Sequence, residues 1–230
     1  MSEQNKLPSD VIGYNKKEIE GLVVDINRAL EKTSNIIIEL LQDNIIKPMS
    51  LAWYAPEAVD FFENFKTEVA SKAIIINDAY DKYRKELQAA GEIWADNSGG
   101  ERPVIPELKQ IELNLNITSI QSEDNGNIVL DASEASKVIM NLSVLEEELN
   151  SKVASIAREL DFNTSFIGHG QSQAILNCFT TVSNQIHDVF KSLTEGDNAL
   201  YNRINEIVHK YQDAVTNVVE SFSSQGKEEI

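Results

Sequence analysis

The stretch that decides the fold is LAWYAPEAVDFF, residues 51–62. A tryptophan, Trp53, and a proline, Pro56, stand there between two segments whose apolar residues recur every three or four positions. Pro56 suits the first turn of a helix, because its missing N–H needs no partner there and its φ is already helical. The stretch therefore predicts a turn that joins two long amphipathic helices into a hairpin.

Apolar residues have helical spacing on both sides of this turn. Before it they are Ile19, Leu22, Val23, Ile26, Leu30, Ile37, Leu40 and Leu41, and after it Phe62, Phe65, Val69, Ala73, Ile76, Tyr80, Tyr83, Leu87, Ala90 and Trp94. The first set predicts a one-sided helix over residues 15–46, which we expect Pro48 to end. The second set is close to a 3.5-residue repeat and predicts a helix that begins at Pro56 and ends near Asn97, before two glycines.

The second half of the chain has a similar organisation. A third helix is predicted from Ser133, which could cap it, to Leu160, and a fourth from Ile175 to Phe222. Gly196 falls at a seam position of the fourth helix. We interpret that helix as continuous with a weak point at the glycine, and a break into two helices is the alternative.

A constant difference in residue number relates the two halves of the chain. It carries Trp53 onto Phe166 and Ala55 onto Gly168, since 166 − 53 and 168 − 55 both give 113. The same offset aligns the apolar positions of the helices, although any two seven-residue patterns can be aligned in that way. The prediction of an internal duplication of a helix-turn-helix unit therefore rests on the match between the two turns.

A linker, residues 97–132, separates the halves. It contains a run of alternating apolar and polar residues, and an Asn-Gly turn signal follows at residues 125–126. The alternating apolar residues are Ile111, Leu113, Leu115 and Ile117. We expect a short β-hairpin or an extended strap that lays this apolar face on the helices or on a partner. The length favours hairpins packed antiparallel, because the linker must then span about 60 Å for helices of roughly 40 residues.

The first turn resembles the W-x-G turn of the WXG-motif (ESAT-like) proteins exported by type VII secretion systems. Trp53 matches the tryptophan of that motif, and Ala55 stands where glycine is usual. The small and aromatic residues that follow in the family match Ala58 and either Phe61 or Phe62. The resemblance implies that these residues form a turn that contributes to partner contact, and we expect Trp53→Ala to weaken partner binding more than folding.

The second turn has Gly168 but carries Phe166 in place of tryptophan. Together the turns resemble a tandem fusion of two such units, which implies an all-α chain of two helical hairpins forming an antiparallel four-helix bundle. The expected divisions are a flexible N-terminus (1–14), a first hairpin (15–96), the linker (97–132), a second hairpin (133–222) and a flexible tail (223–230).

Composition excludes several classes of function. The 20 basic and 37 acidic residues give a net charge of −17, which repels nucleic acids and anionic lipids. We recognise no signal peptide and no apolar run near the roughly 18 residues of a membrane span, so we expect no membrane segment. A single cysteine, Cys178, and three scattered histidines indicate neither a disulfide nor a metal site. We expect no enzyme activity and no cofactor.

We therefore predict a non-enzymatic substrate of a type VII (ESX-like) secretion system, or a carrier for an exported partner, that acts by protein–protein interaction. It would be made in the bacterial cytoplasm, secreted without a cleaved signal peptide, and monomeric as a pseudo-dimer of its hairpins. Export is implied by the resemblance alone. The family signal Y-x-x-x-D/E is absent after Tyr211, where Val215 occupies the acidic position, and Tyr14 to Glu18 has that spacing at the wrong end of the chain.

Two alternatives remain open at this point. In the first, the chain is an α-helical pore-forming toxin subunit, and residues 111–130 form an apolar β-hairpin tongue that enters a membrane. Asn114, Asn116 and Glu112 make this segment a poor membrane element. In the second, the chain is an intracellular coiled-coil scaffold, which would need neither turn motif.

Overall fold

A computed structural model describes residues 15–161 and 169–225 of the chain. The predicted N-terminal segment 1–14, the second turn with Phe166 and Gly168, and residues 226–230 lie outside the described residues. The helices are α1 (Lys16–Leu41), α2 (Lys47–Ala52), α3 (Pro56–Ser98), α4 (Ala132–Met140), α5 (Leu142–Asp161), α6 (His169–Thr194) and α7 (Leu200–Gln225), and the strands are β1 (Trp53–Tyr54) and β2 (Val129–Leu130). The protein is mostly helical, which confirms the predicted class.

The first helical arm continues past Pro48, so the prediction that this proline ends it is wrong. A π-helical turn, Gln42–Ile46, joins α1 to α2. In that turn the Lys47 N–H donates to the Gln42 carbonyl, five residues back. Proline lacks an N–H, and its ring clashes with the carbonyl four residues earlier in a regular α-helix. The wider turn immediately before Pro48 removes that conflict, and the arm continues to Ala52.

The second arm, α3, begins at Pro56 as predicted and ends at Ser98. Gly99, with φ +68°, supplies the left-handed residue that terminates the helix. The buried residues follow the predicted seam as far as Leu87, then shift to Gly91 and Ala95. A straight helix drifts against a 3.5-residue repeat, which explains this shift.

Residues 99–128, here called the strap, form an extended segment and not the β-hairpin that was one expectation. The Asn125–Gly126 turn closes only an isolated bridge between Asp124 and Asn127. β2, directly after the strap, pairs antiparallel with β1, so that Trp53 lies opposite Leu130 and Tyr54 opposite Val129. The strap is therefore joined to the tip of the first hairpin.

The strap spans the length of the first hairpin. At one end Glu101 forms an ion pair with Lys16 at 2.7 Å, and at the other the Gln121 carbonyl accepts from the Ala55 N–H at 3.1 Å. The four alternating apolar residues, Ile111, Leu113, Leu115 and Ile117, are all buried as predicted. Side chains of both α1 and α3 bind the strap backbone, which places the strap between these helices.

The second half differs from the prediction at four places. Asp131, not Ser133, caps α4 by accepting from the N–H groups of Ser133 and Glu134. The third helix is interrupted at Asn141, which separates α4 from α5. The fourth helix is also broken, between Thr194 and Leu200, where Gly196 has φ +90°. A φ in that region disfavours any residue with a Cβ, and glycine adopts it without strain. The predicted tail also begins later, because α7 continues to Gln225.

The helices share one hydrophobic core. α1 packs against α3 and α5, while α6 packs against α3 and α5. Tyr80 of α3 meets Phe179 of α6 with ring centroids 5.8 Å apart, and Lys32 of α1 forms an ion pair with Glu159 of α5 at 2.7 Å. At the tip of the first hairpin, α4 packs on α2 and on α7. Leu113 of the strap is buried and lines a small cavity with residues of α1, α3, α5 and α6.

Candidate partner-contact surface

Trp53, the centre of the first turn, is a core residue. Its side chain is 0% exposed and lies against Phe61 and Phe62, with ring centroids 6.3 and 6.4 Å away. The indole Nε1 is buried without a hydrogen-bond partner. In this conformation Trp53 fills the tip of the hairpin and does not present a surface to a partner, so we now expect Trp53→Ala to act mainly on folding.

The backbone explains why alanine stands at the position of the motif glycine. Ala55 has φ −163° and ψ 154°, an extended conformation that any residue adopts. Its side chain is 0% exposed, so the space available requires a small residue. The Ala55 N–H donates to Gln121, and the carbonyl of Ala52 accepts from Asp131 at 2.7 Å. The strap and the start of α4 therefore hold both sides of the turn.

The remaining predicted residues of the first turn separate into buried and accessible ones. Ala58 and Phe62 are fully buried on the inner face of α3. Phe61 is half-buried and lines a surface groove. Of the five residues predicted in the first turn, only Phe61 is therefore placed to touch a partner. The corresponding residues of the second turn, Phe166 and Gly168, lie outside the described residues.

We call this groove the turn-end groove. It has a volume of about 640 Å³ and lies between the first turns of α3 and the segment that links α6 to α7. Its lining residues are Glu57, Asp60, Phe61, Asn64, Phe65, Glu68, Ser192, Glu195, Gly196, Asp197, Asn198 and Arg203. Five of these are carboxylates and one is a cation. Phe61 and Phe65 stack at 6.4 Å and 14° at its aromatic side.

A second groove adjoins the first and shares Asp60 with it. It measures about 580 Å³ and lies between the start of α3, at Pro56 and Val59, and residues 120–123 of the strap. The tip of the first hairpin therefore carries two neighbouring depressions with apolar and acidic groups. Such a surface is complementary to a polypeptide that bears apolar and basic side chains.

Sequence reasoning identified the aromatic part of this surface and missed the acidic part. Asp60 and Glu195, on opposite sides of the turn-end groove, are 135 positions apart, from 195 − 60. Their proximity arises from the packing of α3 against α6 and the break at Gly196. The net charge of −17 indicated an acidic surface without indicating where it would concentrate.

In the described residues, no three His, Cys, Asp or Glu side chains are placed to hold a metal. His187 Nδ1 lies 2.6 Å from Glu146 Oε1 on the surface. Cys178 is buried, and burial raises the pKa of its thiol to about 12. Burial also raises the pKa of the neighbouring Tyr80 well above its usual range.

The segment proposed as a toxin tongue, residues 111–130, is packed onto the helices. Five of its side chains, Ile111, Leu113, Leu115, Ile117 and Ile120, are buried, although Ile128 is exposed. Val129 and Leu130 pair with β1. A tongue would require this segment to detach from the core. Among the described helices none is long and apolar enough to cross a membrane. Comparison with family models, curated proteins and solved structures gives no significant match to this chain.

Proposed function

We propose that this protein is a non-enzymatic substrate of a type VII (ESX-like) secretion system, or a carrier for a partner exported by one, and that it acts by protein–protein interaction. The observation that carries the proposal is the tip of the first hairpin. There a buried Trp53 and a small buried Ala55 form the turn, and Phe61 opens onto an acidic groove. The W-x-A turn, its position between two long helices and the groove beside it support this function.

Within this proposal the two hairpins form an antiparallel four-helix bundle of α1, α3, α5 and α6. Two pairings support it. Residue numbers increase along α1 as they decrease along α5, since Lys32 meets Glu159 while Leu41 lines the same cavity as Leu149. The same reversal relates α3 and α6. The strap then covers the distance that an antiparallel arrangement leaves between the end of α3 and the start of α4.

The partner in this proposal binds at the turn-end groove. An apolar side chain of the partner would pack on Phe61 and Phe65, and its basic side chains would face the carboxylates of the rim. Rim charges mainly set the association rate and its salt dependence, whereas the buried aromatic contact contributes most of the affinity. We expect binding to weaken as the salt concentration rises.

Export is the first test. The chain, with a C-terminal epitope tag, is produced in a bacterium that carries a type VII system and in the same strain lacking the secretion ATPase, with a cytoplasmic marker protein as the control for lysis. For a substrate we expect the chain in the medium of the first strain alone. For a carrier we expect it in both cell pellets, together with loss of one exported protein when its gene is deleted. Equal release from both strains with no effect on other exported proteins would contradict the proposal.

The groove is tested separately by purifying the proteins that bind the tagged chain in those cells. Phe61→Ala and Asp60→Lys should each reduce recovery of the partner, because one removes the apolar contact and the other reverses a rim charge. Glu63→Lys is the matched control, since Glu63 is exposed on α3 and does not line the groove. If all three variants retain the partner equally, the groove is not its binding site.

A further inference from the structure

Four asparagines of the chain are each followed by a glycine, an alanine or a serine, which matters for their chemical stability. An asparagine loses ammonia when the backbone nitrogen of the next residue attacks its side-chain carboxamide, and water then opens the resulting ring. A small side chain on the next residue leaves that nitrogen accessible. The four pairs are Asn97–Ser98, Asn125–Gly126, Asn150–Ser151 and Asn198–Ala199.

Two of these asparagines lie inside helices. Asn97 belongs to α3 and Asn150 to α5, where the backbone has a fixed conformation and its N–H groups are engaged by carbonyls one turn earlier. The Asn97 carboxamide is also held, because its Nδ2 donates to the Ile93 carbonyl at 2.7 Å. A reaction at either asparagine therefore requires local unfolding of its helix.

Asn198 is exposed in the break between α6 and α7, but its neighbours restrain it. The Ala199 N–H, whose nitrogen would have to attack, donates to the Gly196 carbonyl at 3.1 Å. Arg203 Nη2 donates to Asn198 Oδ1 at 3.1 Å and holds the carboxamide. Both reacting groups of this pair are therefore engaged in hydrogen bonds.

Asn125 differs from the other three because both of its reacting groups are accessible. Its side chain is exposed, and a Cβ placed on Gly126 would meet no atom within 4 Å. Among the described residues nothing accepts a hydrogen bond from the Gly126 N–H. Asn125 Nδ2 donates to Oδ1 of the exposed Asp124 at 3.1 Å, so the restraint on the carboxamide lies within the turn itself.

The turn around Asn125 is closed by two backbone hydrogen bonds. Asn125 and Gly126 have φ of +50° and +84°, and Asp124 and Asn127 exchange two bonds of 2.8 Å on either side of them. These bonds fix the backbone between the carboxamide and the Gly126 nitrogen, so the attack requires the turn to open. An exposed pair of bonds that no further strand supports opens at a small cost in free energy.

We propose that Asn125 is a site of spontaneous deamidation, and the site at which this chain reacts first. The Gly126 nitrogen loses its proton and bonds to Asn125 Cγ, while the Cγ–Nδ2 bond breaks and the departing nitrogen takes up a proton and leaves as ammonia. Water then adds to one of the two carbonyls of the succinimide, and the C–N bond of that carbonyl breaks. The products are aspartate, with the main chain restored, and isoaspartate, with the main chain routed through the side-chain carbon. The proposal does not depend on export.

Either product changes the end of the strap. Both introduce a carboxylate beside Asp124, and isoaspartate also adds one methylene to the main chain between Asp124 and Asn127. The longer turn cannot keep both of its 2.8 Å bonds. β2 begins at Val129, two residues after Asn127, so we expect its pairing with β1 to open more often in the isoaspartate form.

Peptide mass analysis of the purified full chain, kept at about pH 8 and about 37 °C, tests the site. The peptide that contains Asn125 should gain about 1 Da at least about ten times faster than those that contain Asn97, Asn150 or Asn198. Asn125→Gln is the control variant, and it should remove most of the isoaspartate that a protein isoaspartate methyltransferase detects in the parent chain. A first reaction at Asn97, Asn150 or Asn198 would overturn the proposal.

Unfolding the chain separates the effect of the fold from that of the local sequence. In guanidinium chloride the rate at Asn150 should rise at least about thirtyfold because its helix is lost, whereas the rate at Asn125 should rise less than about fivefold. A rise at Asn125 as large as that at Asn150 would show that the folded turn protects Asn125, and would also overturn the proposal.

Hydrogen exchange tests the consequence for β2. The Asp131 N–H donates to the Ala52 carbonyl at 2.7 Å, directly after this strand. In the isoaspartate fraction this amide should exchange at least about ten times faster than in the unmodified chain. Asn125→Gln, kept under the same conditions, should retain the unmodified rate. Equal exchange in the two fractions would overturn the expected opening of the β1–β2 pair.

Discussion

Asn77 and Ile111 are joined by two hydrogen bonds that imitate one rung of a β-ladder. Asn77 Nδ2 donates to the Ile111 carbonyl at 3.0 Å, and the Ile111 N–H donates to Asn77 Oδ1 at 3.0 Å. Gln42 makes the same pair of bonds with Asn116, at 2.8 and 3.1 Å, in an exposed position. Extended backbone that is packed on helices has no neighbouring strand, so amide side chains from α3 and from the π-helical turn supply the partners it needs.

The amide side chains of Asn77 and Gln42 should contribute unequally to the free energy of unfolding. Asn77→Ala leaves the N–H and C=O of Ile111 buried without partners, which we expect to lower the free energy of unfolding by about 3 kcal/mol. Gln42→Ala is the matched control with the same geometry, and its loss should stay below about 1 kcal/mol because water replaces the amide. Urea denaturation of both variants measures the difference. Equal losses would show that burial of the strap backbone does not decide its contribution.

Trp53→Ala should destabilise the fold by about 4 kcal/mol, the usual cost of emptying a fully buried indole site. Trp53→Phe should cost less than half as much, because it keeps most of the ring contact and removes an Nε1 that has no hydrogen-bond partner. Chemical denaturation measures both. A Trp53→Ala variant of parental stability that no longer binds its partner would show that the indole leaves the core on binding.

Stability should fall at alkaline pH because of Cys178. Its pKa is raised by burial from an ordinary value of 9.0 to about 12 in the folded chain. The folded state therefore keeps a proton that the unfolded state loses, so this stability is fully present below about pH 9 and decreases as the pH rises toward 12. Tyr80 acts in the same direction at higher pH, because burial also raises its pKa.

The contribution of the thiol is isolated by Cys178→Ala. Between pH 8.5 and about 10, the urea midpoint of the parent should decrease, and that of the variant should decrease less. The slope with pH is the measured quantity, so a constant packing loss in the variant does not affect it. Identical slopes would mean that Cys178 ionises in the folded chain as it does in the unfolded one.

Two glycines should respond in opposite ways to alanine. Gly196→Ala places a Cβ at φ +90° and should lower stability by about 1 to 2 kcal/mol. Gly21→Ala lies on an exposed position of α1 with no atom near the new Cβ, and should raise stability by up to about 1 kcal/mol. Melting temperatures that shift in the same direction would contradict the assigned break between α6 and α7.

Apolar spacing predicted the buried faces of the helices well and their interruptions poorly. Leu193 and Leu200 are both buried, seven positions apart, although the helix breaks between them. The spacing therefore looks continuous where the chain is not. The spacing of apolar residues indicates which side of a helix faces the core. The direction of the helix axis depends on single residues such as Gly196 and on the packing around them.

The first arm and the linker illustrate the same limit. The first helix was predicted to end at Pro48 because proline usually ends a helix. The apolar pattern does not indicate the π-helical turn that lets this helical arm continue. In the strap, alternation identified the buried side chains. The pairing of β2, directly after the strap, with Trp53 and Tyr54 could not be identified in this way, because it joins residues more than 70 positions apart. The aromatic turn could be predicted from the sequence because all of its residues are neighbours in the chain.

The strap also sets an order of assembly on the ribosome. Residues 16–130 emerge before α5 and α6, and at roughly 5 to 20 residues per second the remaining 100 or so residues follow over about 5 to 20 s. During that interval Ile111, Leu113, Leu115 and Ile117 can already lie on the seam between α1 and α3. The nascent chain thereby shields part of its own apolar surface from neighbouring chains until the second hairpin arrives.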